Sequence, residues 1–276
     1  MNDFKFWSKI SNQIMEEVDE TINPLIGQKK AGQTVKMGAD GTPTKLIDLR
    51  AEEKVVEILE STERPLTLVS EEIGRIEIGN DPSEVIFVVD PLDGTHNALK
   101  NIPAYGISLA VAEITDPNKV MTTDDIEMGF VKNFATGDIY QAIKGEGATL
   151  KGREIKTSSQ TDITHAAIGA YIYRADMKKV DKLCKIVRRM RILGSVAIEL
   201  CYVADGTYDA FLDVRGNLRI VDISAAKLIV EEAGGRVTNE NNQSLYGKLS
   251  VLERTSIVAS GNLDINRELI NILGGI

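Results

Sequence analysis

Apolar residues recur at helical spacing near the start of the chain. Trp7, Ile10, Ile14 and Val18 fall on one face, which predicts a helix over residues 3–22 capped by Asn2 or Asp3. Residues 27–43 then carry four glycines, three lysines and no periodicity. They read as a mobile loop over a site or as plain surface disorder. Helical spacing returns over 44–61, with Asp48, Glu52 and Glu53 early and Val55, Ile58 and Leu59 on an apolar face. A short strand over 66–69 ends in Ser70-Glu71-Glu72, where the acids can be a solvated strand end.

The run Val85 to Val89 is wholly apolar, which suits a strand buried on both faces. It breaks into Asp90-Pro91-Leu92-Asp93-Gly94-Thr95, where Pro91 is expected to stop the strand. Further strands are expected over 105–114 and 127–134, and hairpins over 137–156.

Residues 157–161 are a candidate boundary between two parts of one compact unit. The first, 1–156, would bind metal and phosphate, and the second, 157–276, the rest of the substrate. The second part reads as strands over 166–173, 190–193, 208–214 and 255–260 and helices over 176–187, 196–204, 223–233 and 263–273. Strands and helices mix without a regular βαβ rhythm, which favours a layered α+β fold.

Composition narrows the function. A net charge of −9 argues against a nucleic-acid partner, since phosphate backbones select basic surfaces. No window reaches 18 uninterrupted apolar residues, so no membrane span is expected. Cys184 and Cys201 match no zinc spacing and read as buried free thiols in a reducing cytoplasm.

Asp90 and Asp93 lie three residues apart at the mouth of a buried strand. Unpaired, they would repel and lose hydration. They can form a polar turn, or a site for a hard cation such as Mg²⁺, which takes oxygen ligands and shares them with phosphate. Asp222 precedes a helix and can be an N-cap, a metal ligand or both.

The motifs Ser70-Glu71-Glu72, Asp90 to Thr95, Gly194-Ser195-Val196-Ala197, Val221-Asp222-Ile223-Ser224-Ala225-Ala226 and Glu232-Ala233-Gly234-Gly235 together resemble the inositol monophosphatase family. That family lies within the Mg²⁺-dependent, lithium-sensitive phosphatases. The resemblance implies the layered α/β/α/β/α sandwich of the sugar phosphatases and two or three Mg²⁺ ions. Glu71, Asp90, the Leu92 carbonyl, Asp93 and Asp222 then look like the metal ligands. Asp48 and Thr95 look like the pair that orients and deprotonates the attacking water. The Gly94 and Thr95 amides look like phosphate donors, with Gly194 and Ser195 beside the substrate. The 27–43 stretch resembles the family's mobile catalytic loop. A homodimer is also implied.

The sequence departs from the family pattern in places. Val221 replaces a usual Trp, Lys227 replaces a usual Gly, and Asp213 replaces a Glu that touches substrate hydroxyls. The segment from Asp213 to Asp222, with Arg215 and Arg219, is longer and resembles the archaeal dual-specificity branch. That branch hydrolyses both inositol monophosphate and fructose 1,6-bisphosphate, so a small phosphorylated sugar or polyol is the expected substrate. A second phosphate needs cations, and Tyr173, Arg174 and Arg191 are the candidates for its distal contacts. Two other readings remain. One is a 3′(2′),5′-bisphosphate nucleotidase or NADP phosphatase, and the other a metal-binding regulatory protein without catalysis.

Overall fold

Helix α1 (Phe4–Ile22) buries Trp7, Ile10, Ile14, Met15, Val18 and Ile22 along one stripe. A computed structural model describes residues 3–274, so Asn2 as a cap lies outside the described residues. Asp3 makes no cap bond, and its carboxylate accepts Arg64 Nη2 at 2.8 Å.

The glycine- and lysine-rich stretch is not an irregular loop. Two 3₁₀ turns lead into a hairpin of β1 (Thr34–Met37) and β2 (Pro43–Lys45). Asp40 closes its turn by accepting Thr42 N at 2.8 Å and Thr42 Oγ1 at 2.6 Å. Thr44 and Lys45 are used in that pairing, so α2 (Leu46–Ser61) starts later than its periodicity suggests.

The strands β3 (Leu66–Ser70), β4 (Gly74–Ile78) and β5 (Val85–Asp93) follow. After the short helix α3 (Thr95–Lys100) come β6 (Gly106–Glu113), β7 (Met128–Asn133), β8 (Asp138–Ile143), β9 (Gly147–Leu150) and β10 (Arg153–Glu154). They form one sheet in the order β10-β9-β8-β7-β6-β5-β3-β4. β3 and β5 run parallel. Pro91 does not end β5; the strand continues through a register shift between Asp90 and Asp93, where a proline without an N–H is tolerated.

The rest of the chain supplies β11 (Ala167–Tyr171), α4 (Met177–Ile186), β12 (Arg189–Arg191), α5 (Val196–Ala204), β13 (Ala210–Arg219), α6 (Ile220–Glu232), β14 (Arg236–Thr238), β15 (Arg254–Ser260) and α7 (Leu263–Leu273). Its sheet runs β12-β11-β13-β15-β14. β13 outruns the expected strand and shifts register between Asp213 and Leu218.

Three apolar cores glue five layers. Helices α1 and α2 cover one face of the large sheet, with Trp7 packed edge-on to Phe87 at 5.5 Å. Helices α5 and α6 fill the space between the sheets. Helices α4 and α7 cover the far face of the small sheet. This is the α/β/α/β/α sandwich of an α+β protein. Cys201 is buried, but Cys184 is exposed, because it lies on the solvent side of α4. Among the described residues no helix is long and apolar enough to cross a membrane.

Candidate metal centre

The parallel pairing of β3 with β5 places Ser70 opposite Val89, so Glu71, just past the end of β3, comes beside Asp90 at the bulge of β5. The first turn of α6 brings Asp222 to the same point. Carboxylate oxygens of Glu71, Asp90 and Asp222 lie within 4.8 Å of one another. Asp222 is not an N-cap, one of the readings its sequence position leaves open. It sits inside the first turn and accepts Arg219 Nε at 2.9 Å (Oδ1) and 3.1 Å (Oδ2) instead of backbone amides.

Burial and like charge make Glu71, Asp90 and Asp93 reluctant to ionise. Asp90 is pushed well above the usual carboxylate range, first by burial and then by Glu71, Asp93 and Asp222. Glu71 is pushed up to about 8, mainly by burial, with Arg219 opposing. Asp93 rises to about 6 for the same first reason, held back by Ser195 and the Ala197 amide. A hard divalent cation relieves both penalties, and an all-oxygen donor set is what Mg²⁺ or Ca²⁺ takes. The residues therefore fit a metal.

Around the cluster the backbone is tightly fixed. Leu92 N donates to Asp90 Oδ1 at 3.0 Å, while the Leu92 carbonyl accepts the Thr95 hydroxyl at 3.2 Å. Thr95 Oγ1 also lies 2.8 Å from Asp48 Oδ1, and Asp48 Oδ2 accepts Lys45 N at 3.0 Å. Burial raises the Asp48 carboxyl, against the hydrogen bonds from Thr95 and Lys45. Asp93 Oδ2 accepts both Ser195 Oγ and Ala197 N at 2.7 Å, which links the bulge of β5 to the start of α5.

Two glycines allow that close approach. Gly94 has φ +84°, and a Cβ there would meet the Ala104 carbonyl oxygen at 2.7 Å and Ser195 Cβ at 3.3 Å. Gly194 has φ +93° and packs on the Asn97 amide. Asn97 Nδ2 ties the two segments by donating to Ala104 O at 2.7 Å and Leu193 O at 2.8 Å.

The distal candidates are spread out. Asp213 is fully buried, and both its oxygens are taken by Arg215, at 2.9 Å from Nε and 2.6 Å from Nη2. The Arg215 guanidinium lies 4.3 Å from the Tyr173 ring centre and 5.1 Å from that of Tyr171. Arg191 stacks separately on Tyr208, at 5.8 Å. Arg174 makes no hydrogen bond or ion pair among the described residues and has a left-handed backbone, φ +61°.

Sequence reasoning gave no role to Arg215, Arg219, Asp40 or Glu199. The first two lie in the segment already marked as unusual. Glu199 is fully buried in α5, and its Oε1 accepts Leu193 N at 3.0 Å and Gly194 N at 3.2 Å. A lone acid inside an apolar helix run was the available signal.

Residues 4–273 match the inositol monophosphatase family. The chain is 54% identical over 274 residues to a fructose-1,6-bisphosphatase/inositol-1-monophosphatase of Methanothermobacter thermautotrophicus, covering 99% of this chain and 98% of that protein. It is 42% identical to a bifunctional NADP phosphatase/NAD kinase of Methanocaldococcus jannaschii, covering 96% of this chain and 50% of that protein. A solved protein of Pyrococcus horikoshii with similarities to inositol-1 monophosphatase superposes with a TM-score of 0.82 at 32% identity, covering 99% of this chain and 98% of that one. With that match running nearly end to end, and Glu71, Asp90 and Asp222 of its motifs gathered at one point, the chain belongs to the inositol monophosphatase family.

Proposed function

We propose that the protein is a Mg²⁺-dependent phosphomonoesterase that hydrolyses fructose 1,6-bisphosphate and inositol monophosphate. The convergence of Glu71, Asp90 and Asp222 beside the Thr95–Asp48 pair carries this reading. Those three acids, with Asp93 and the Leu92 carbonyl, would hold two or three Mg²⁺ ions. When bound, the ions offset phosphate charge and acidify a water molecule.

The chain's own groups do the rest. The Thr95 hydroxyl accepts a proton from the attacking water as it passes its own to Asp48 Oδ1, 2.8 Å away. The Gly94 and Thr95 amides orient the phosphoryl oxygens. Ser195 and Ala197 hold Asp93 in place. Residues 157–276 bind the remainder of the substrate through Gly194, Ser195, Asp213, Tyr173, Arg174 and Arg191. In this reading Asp213 acts through Arg215, because both its oxygens face that guanidinium.

The protein works in the cytoplasm as a homodimer; two free cysteines suit a reducing compartment. A regulatory protein without catalysis is the weaker reading, since Asp48, Glu71, Asp90, Asp93, Thr95 and Asp222 are all retained.

The test is phosphate release with Mg²⁺ from fructose 1,6-bisphosphate, inositol 1-phosphate, NADP and 3′-phosphoadenosine 5′-phosphate in parallel. Turnover of the first two at comparable rates supports the proposal. A strong preference for either nucleotide keeps the metal chemistry and overturns the substrate.

A further inference from the structure

Arg219 ends β13 at the N-cap position of α6. Its guanidinium reaches three carboxylates at once. Nε donates to both oxygens of Asp222, and Nη1 donates to Glu71 Oε1 and, at 3.0 Å, to Asp40 Oδ2. Asp40 belongs to the tip of the β1–β2 hairpin, yet its side chain is only 2% exposed. Arg254 Nη2 lies 3.6 Å from the same Asp40 oxygen. One side chain therefore touches two of the three clustered acids and the tip of the hairpin.

A guanidinium and a hard cation compete for the same oxygens. Arginine cannot step aside by losing its proton, because its pKa is too high. Glu71 Oε1 and the Asp222 oxygens can serve a metal fully only when Arg219 lets them go. Its long side chain allows that movement without unfolding α6, while Nη1, which holds Asp40 as well as Glu71, keeps the hairpin tied to it.

We propose that Arg219 is a built-in counter-cation that Mg²⁺ displaces from Glu71 and Asp222, and that its link to Asp40 makes the β1–β2 hairpin respond to metal occupancy. This rests on the metal reading of the site. Without metal, Arg219 offsets the clustered negative charge. With metal, it keeps Asp40 alone, and the hairpin tip moves with it.

Calorimetric titration of metal-stripped protein with MgCl₂ tests this on wild type and Arg219→Gln. The variant is expected to bind Mg²⁺ at least tenfold more tightly and to melt at a lower temperature in EDTA. Hydrogen exchange over residues 34–45 is expected to change on Mg²⁺ addition in wild type and to be insensitive in the variant. Unchanged or weaker Mg²⁺ binding in a folded Arg219→Gln overturns the proposal, since it makes Arg219 a partner of the bound metal. A wild type that binds no Mg²⁺ overturns the metal reading itself and this proposal with it. If Arg219→Gln does not fold, Arg219→Lys keeps the charge but loses the forked reach. Tighter Mg²⁺ binding in that variant supports displacement, and an unchanged Kd refutes it.

Discussion

The Thr95 hydroxyl donates to Asp48 Oδ1 at 2.8 Å, so two residues 47 apart in sequence join the first turns of α2 and α3. The pair lies beside the metal-ligand candidates, and the same hydroxyl touches the Leu92 carbonyl. Thr95→Ala and Asp48→Asn are each expected to lower kcat by about 10²–10⁴-fold, the range for removing a positioned acid–base group. Thr95→Ser keeps the hydroxyl and most of the rate. Mg²⁺ affinity should hold in Thr95→Ala. Full activity in Thr95→Ala would exclude the hydroxyl from the chemistry.

Ser195→Ala takes one of two donors from Asp93 Oδ2. A hydrogen bond to a charged group contributes about 1.5–3 kcal/mol. Ser195 holds the Asp93 carboxyl down against burial, so its loss raises that pKa above about 6. More of Asp93 is then protonated near neutral pH. The variant should bind Mg²⁺ more weakly, most of all below pH 7, and recover as pH rises. Titrations at pH 6, 7 and 8 check this, and a pH-independent deficit contradicts it.

Glu199 gives a stability signature of its own, separate from metal binding. Burial pushes its carboxyl up to about 7 from an ordinary value of 4.5. Between those values the folded chain holds a proton that the unfolded chain has lost. Stability contributed by this group therefore falls as pH rises from about 4.5 to 7 and is flat above. Glu199→Gln stays neutral and keeps an oxygen for the Leu193 and Gly194 amides. The fall in Tm between pH 5 and 7 should be shallower in the variant. Parallel slopes in the two proteins would rule Glu199 out as its source.

Gly94→Ala meets two obstacles. Its backbone is left-handed, and the new Cβ lands 2.7 Å from the Ala104 carbonyl oxygen. The expected loss exceeds about 1 kcal/mol. A lower Tm with weakened phosphate release checks it, and a wild-type Tm contradicts it.

Elements stabilised by their own periodicity were legible in the sequence. α7 falls where its apolar spacing puts it because it buries one continuous face, and α5 because its run is apolar on nearly every side and is enclosed between the sheets. β5 was recognisable from its apolar run, but its continuation past Pro91 depends on β6 supplying partners across a bulge. The hairpin at 34–45 carries no apolar alternation, and its order comes from backbone pairing and the Asp40 turn. Asp222 was singled out as chemically important, but its placement was wrong by a turn. The extension of β13 to Arg219 starts α6 earlier than its apolar run suggests. Arg219 lies in the segment whose length marks it as unusual, but its role is not legible there, since two of its three acidic partners, Asp40 and Glu71, come from distant segments.

The most direct test of a metal-dependent phosphatase is phosphate release from fructose 1,6-bisphosphate by metal-stripped protein, with and without added Mg²⁺, beside Asp90→Asn. The account predicts no turnover without metal, restoration by Mg²⁺, and an Asp90→Asn protein that stays folded but inactive at the same Mg²⁺ concentration. Turnover that persists in EDTA, or survives in Asp90→Asn, would contradict it.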